Sequence, residues 1–220
     1  MANNFKNAVK RNISADSTLP TVIYAAPNSK KAIAIEIDVA NKSTAGVTVT
    51  VQLEDESQNA SGGNAHTISA VATNTTGLLT TTSSAVHDLV VNDRVLFAVS
   101  SAPSFTDATL PPSGDTVLSV TRFYYVQSIP STSTFTIAES SSASDPETFD
   151  SNGSGVTFTK IHIADIVKDA PVPVGGALKV VAGQKVVLES PSSGVNDKIY
   201  AHCSSANNVD CIASVLEDVS

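Results

Sequence analysis

Four histidines, His66, His87, His162 and His202, are the residues of this chain best suited to metal binding or general base work. No two of them have the short spacing that sets a pair of imidazoles on one side of a strand or helix beside a carboxylate. His162 lies in "KIHIADI", alternating with Ile161 and Ile163, which reads as the wet-face residue of a strand. Cys203 and Cys211 are the only cysteines, and their separation rules out a C-x-x-C redox or zinc motif. They stand at the two ends of an expected hairpin, where a cross-strand disulfide fits. A chain made in a reducing compartment favours two buried thiols instead.

Glu54, Asp55 and Glu56 form an acidic run. The spaced D-x-D-x-D-G pattern of a calcium loop is missing, so a solvated turn is expected there. Ser and Thr are abundant, yet there is no G-x-S-x-G elbow, and a Ser-His-Asp triad has no specificity where every loop contains serine. "SGGN" (61–64) and "VGGAL" (174–178) lack the lysine and the strand-to-helix context of a phosphate loop. The residues therefore assign no catalytic group, no metal ligand and no cofactor. A non-enzymatic structural or recognition module is expected.

Charge narrows the partners. A formal net charge of −8 and a pI near 4.8 disfavour nucleic acid and anionic membranes. Lys6, Lys10 and Arg11 give the N-terminus a basic bias, read as a solvated arm over 1–18. No apolar run reaches the 18 residues of a membrane span, and "MANNFKNAVKRNISADS" has no apolar middle, so synthesis in a cytoplasm is expected, with the mature chain beginning near Met1.

The elements that must position these residues are strands. Val, Thr, Ser, Ile and Ala dominate, Trp is absent, and turn residues recur at short intervals. Aromatics at 5% imply a core of small aliphatic side chains. Strand patterns occupy 21–26, 31–41 and 46–55. In the second, Ile33, Ile35, Ile37 and Val39 alternate with Ala34, Glu36 and Asp38, one dry face against one wet. Val47, Val49, Val51 and Leu53 alternate in the same way with Thr48, Thr50 and Gln52.

The texture changes at "ESQNASGGNAHTISAVATNTTGLLTTTSSAV" and returns at "KIHIADIVKDAPVPVGG". Residues 62–159 hold eight acidic and two basic residues, net −6, leaving 13 acidic and 11 basic, net −2, for the rest. An insertion is expected: a discontinuous sandwich domain of 19–61 plus 160–220, interrupted by a small β domain of 62–159, with residues 55–59 at the tip of an outer hairpin. Beyond the insertion, Pro171 and Pro173 mark a sheet edge or irregular crossing and "AGQ" (182–184) a tight turn. Eight short strands in the outer domain read as an all-β fold, an Ig-like or jelly-roll-type β-sandwich. The inserted strands are expected at 87–99, 121–129, 134–140 and 155–161.

The outer frame resembles small virion proteins of tailed, particularly marine, bacteriophages. That group carries "T-x-(I/L)-Y-x-x-P", a strand ending in "(A/V)AN", then "(I/V)-x-K-D-x-P-(V/I)-P", "L-x-V" and "K-(V/L)-V-L-E"; here these are 21–27, 39–41, 166–173, 178–180 and 185–189. The insertion resembles a module of phage tail and appendage proteins with "H-G-L-x-x-G-D-x-V-x-F", "Y-Y-V" and "F-T-L-S" strands. It supplies "HDLVVNDRVLF" (87–97), Tyr124-Tyr125-Val126 and Phe135-Thr136-Ile137-Ala138, with Asp88 and Asn92 in place of two glycines. Asn92 suits a left-handed turn and Asp88 suits it less.

The resemblance implies a structural component of a phage virion, made in the bacterial cytoplasm and contacting tail, neck, baseplate or capsid proteins and copies of itself. Two alternatives accompany it: a capsid decoration protein on the head exterior, and an appendage module that binds host surface glycans through Tyr124 or Tyr125. Phe123, Tyr124 and Tyr125 alternate sides of one strand, which places at least one of them in a core.

Overall fold

The computed structural model describes residues 4–56, 58, 65–73, 76–82, 87–106, 114–181, 185–192 and 194–218. The first strands are β1 (Asn4–Lys10), β2 (Thr21–Ala25), β3 (Lys31–Asn41) and β4 (Val47–Glu54). Next come β5 (Ala65–Val71), β6 (Leu79–Thr81), β7 (Arg94–Ala98), β8 (Tyr124–Ser131), β9 (Thr134–Ala138) and β10 (Thr157–Ile161). The chain closes with β11 (Ile163–Val172), β12 (Ala177–Val181), β13 (Val186–Glu189), β14 (Lys198–Cys203) and β15 (Val209–Glu217). Two compact units result: Met1–Ala60 with His162–Ser220, and Ser61–Ile161.

The discontinuous unit is a sandwich of two antiparallel sheets. One runs β1-β15-β3-β12, with β13 also on β3; the other runs β11-β4-β14-β2. Its core is small and aliphatic, built from residues such as Ile37, Val39, Val49, Val51, Ala213 and Val215. Glu54 and Ile163 are register partners on β4 and β11, and the Asp55 amide donates to the His162 carbonyl at 3.0 Å. The two ends of the interrupted segment therefore meet as neighbours on adjacent strands. Pro171 lies in β11, an edge strand, where a missing amide donor costs no ladder bond.

Three sequence expectations change here. Residues 4–10 are not a solvated arm: they form β1, paired with β15 over seven consecutive registers. "NFKNAVK" alternates Phe5, Asn7 and Val9 with Lys6, Ala8 and Lys10, and Ala8 packs on the core. In β3 the dry face switches phase. Ala32 and Ala34 are buried, then Ile37 and Val39, because a register shift against Ser214 and Val215 inserts one residue and leaves Ile33 on the outer surface. In β4 the expected wet face is buried as well. Gln52 Nε2 donates to Asp165 at 2.6 Å, and the Thr50 hydroxyl accepts from the Asp169 amide at 3.1 Å.

The inserted unit is a closed six-stranded barrel, β10-β5-β6-β9-β8-β7. Closure removes free edges. Its β5 and β6 were not expected, because "AHTISAV" and "LTT" sit in Ser- and Thr-rich surroundings that read as junction; "SGGN" (61–64) itself lies outside the described residues, as does "AGQ" (182–184). Eight of the chain's 11 aromatic residues lie in this unit, and six of them join aliphatic side chains in its core, where small aliphatic side chains alone are expected from composition. Phe135 meets Phe158 edge-on at 4.8 Å, Phe97 meets Tyr124 at 5.7 Å, and Phe105 stacks on Phe149 at 5.4 Å.

Candidate functional site

The histidines do not converge. His66, on β5, stacks on Phe158 across the ladder at 5.1 Å. His87 is buried, edge-on to Phe135 at 5.5 Å, with Nε2 3.3 Å from the Thr134 carbonyl; its Nδ1 has no hydrogen-bond partner among the described residues. His162 falls between β10 and β11, not within a strand, because the chain passes there from barrel to sandwich. His202 is on β14 opposite Thr50. Among the described residues no three His, Cys, Asp or Glu side chains gather as a metal site.

The cysteines are both free and buried, Cys203 on β14 and Cys211 on β15, strands of different sheets. Burial raises the Cys203 thiol and pushes that of Cys211 up to about 12, so neither is a ready thiolate. Cys203 donates instead to the Ser205 carbonyl at 3.1 Å.

Carboxylates and their partners make the strongest polar constellations. Glu54 is not in a solvated turn: it ends the central strand β4, buried between neighbours. Tyr200 donates its hydroxyl to Glu54 Oε2 at 2.8 Å, and Lys198 Nζ lies 3.3 Å from the same oxygen and 2.6 Å from Glu56. Burial raises the Glu54 carboxyl, with the Lys198 ammonium and the Tyr200 donor opposing. Asp197 beside it accepts from the Glu56 and Glu189 amides at 3.0 and 2.9 Å. At the end of β15, Glu217 is held by the Tyr24 hydroxyl at 2.9 Å and the Lys6 ammonium at 2.6 Å. In the barrel, Arg122 Nε lies 3.1 Å from Asp115 and 3.9 Å from Glu139, while burial pushes Glu147 up to about 7, Glu139 adding repulsion. Tyr24, Glu139, Glu147 and Glu217 carry no local signal in the sequence: Tyr24 and Glu217 come from different sheets, and Arg122, Glu139 and Glu147 from segments outside the strands, so tertiary packing assembles them.

The tyrosines expected for sugar stacking are not presented. Tyr124 points into the barrel core, Phe123 is buried, and Tyr125, on the other side of β8, is covered by the Arg94 guanidinium 5.2 Å above its ring. Asn92 takes a left-handed φ of 73° in the turn before β7, pinned by its amide to the Val126 carbonyl at 2.8 Å; Asp88 keeps a negative φ.

What the sandwich offers outward is an apolar surface. Cross-strand registers set Phe5, Leu216, Ile33 and Val187 in one row over the outer face of the β1-containing sheet, with Val9 beside Ile212 four residues along β1, past the Asn7–Ser214 pair. Phe5, Val9, Ile212 and Val187 are exposed. Comparison of the chain with protein-family models and with curated proteins finds no match.

Proposed function

We propose that the chain is a non-enzymatic structural protein of a tailed-bacteriophage virion, assembling through protein–protein contacts at the tail, neck or baseplate. The observation that carries this reading is the apolar row on the outer face of the β1-containing sheet, with Phe5 and Val187 exposed and Leu216 and Ile33 half-buried between them. Apolar side chains gathered on an outer sheet face in this way fit an interaction site. The resemblance supports the same reading, since its motifs fall on scaffold: 21–27 on β2 and the turn after it, 39–41 on β3, 166–173 on β11, 178–180 on β12 and 185–189 on β13. Buried carboxylates such as Glu54 and Glu217 are spent on tyrosine and lysine partners that tie strands together. Mass spectrometry of purified particles of the source phage tests the proposal. Recovery of this polypeptide at a fixed stoichiometry to the major capsid protein is expected, and its absence from clean particles ends the reading.

A further inference from the structure

Sheet edges carry unpaired backbone N–H and C=O groups and accept another strand unless something blunts them. Most edges of this sandwich are blunted. β11 contains Pro171 and two register shifts against β4. β2 is five residues long with a shift against β14. β12 and β13, five and four residues long, share the far side of β3 in succession. β1 differs: seven residues without proline, in unbroken register from Asn4↔Glu217 to Lys10↔Cys211, with no strand on its other side among the described residues.

Its surface is equally open. Phe5 is 71% and Val9 53% exposed, both on the outer face. Lys6, which a solvated edge would use to repel a strand, is turned to Glu217 and neutralised at 2.6 Å.

We propose that β1 pairs antiparallel with β1 of a second copy about a two-fold axis at Asn7, joining two outer sheets into one. This deepens the structural reading above, on which it rests, by naming a second copy as partner. "NFKNAVK" is self-complementary in that register: Phe5 faces Val9 of the second copy, Lys6 faces Ala8, Lys10 faces Asn4, and the two Asn7 meet on the axis. No like charges oppose one another. The row Val187, Ile33, Leu216, Phe5 then runs on into Val9 and Ile212 of the second copy, closing one apolar ribbon across the junction. The contact is isologous and closes at two.

Analytical ultracentrifugation of the full chain at tens of micromolar should give twice the 22.6 kDa monomer mass. Phe5→Lys with Val9→Lys sets lysines opposite each other twice and should weaken association at least tenfold. Phe5→Lys with Val9→Glu sets lysine opposite glutamate twice and should restore it. Mild oxidation should link Asn7→Cys copies by a disulfide across the axis, but not Phe5→Cys copies, whose Cα atoms would be roughly 14 Å apart. All four variants alter exposed side chains, and circular dichroism checks that they fold. A monomeric wild type, or a dimer indifferent to the two lysines and to the position of the cysteine, overturns the pairing. A monomer found in purified virions overturns the pairing and leaves the structural reading standing; a dimer absent from virions does the reverse.

Discussion

Tyr200 and Lys198 turn a buried Glu54 into a fixed point between two strands. Tyr200→Phe removes the 2.8 Å donor from a buried carboxylate oxygen, leaving Lys198 at 3.3 Å, and should cost about 1–3 kcal/mol in a denaturant titration. Glu147 answers to pH. Its carboxyl is raised to about 7 from 4.5, mainly by burial, so between those values the folded state holds a proton that the unfolded state has released. Stability from this group is full below about 4.5 and is lost as pH rises to about 7. The thermal midpoint of the barrel should fall over that window, by the equivalent of about 1 kcal/mol after allowing for solvent screening, and Glu147→Gln should flatten the dependence. At this scale the sequence was a poor guide. Glu54 reads as part of an acidic turn because Tyr200 lies 146 positions away, and only the β4–β14 register brings the two together.

Elements were more legible. Period-two patterns locate β2, β3 and β4 and most of the strands beyond the barrel, since a sheet with one buried face writes itself into alternation. The bulge in β3 was not legible, because Ile33-Ala34-Ile35-Glu36 keeps its alternation while the backbone steps out of phase. β5 and β6 escaped for a related reason: threonine and serine suit a strand whose neighbours are supplied by barrel closure, and they suit a linker equally. The return between those strands depends on Gly77, which has a φ of +58° and sits where an added Cβ would lie 1.9 Å from the Glu147 carbonyl oxygen. Gly77→Ala should therefore destabilise the barrel by about 2–4 kcal/mol, read as a drop in its thermal midpoint, while the sandwich transition stays in place.

Across the molecule, the averaged composition hides an uneven allocation: the buried sandwich cluster has no aromatic residue, while aromatic side chains join aliphatic ones in the barrel core. A 5% aromatic content could not show that allocation. The Asp55–His162 hydrogen bond at 3.0 Å places the two ends of the interruption side by side, so residues 61–161 should be replaceable by a short turn. The shortened chain should retain a β-type circular dichroism spectrum and a cooperative thermal transition; a chain without either would show that the sandwich depends on its insertion. A cryo-EM map of the intact phage particle tests the proposed place of this surface in a virion. Repeated density for a two-sheet sandwich and a six-stranded barrel is expected, with the β1 edge in contact with another protein subunit. A map whose density is fully explained by other chains, with no place for this one, rules out a structural role in the virion.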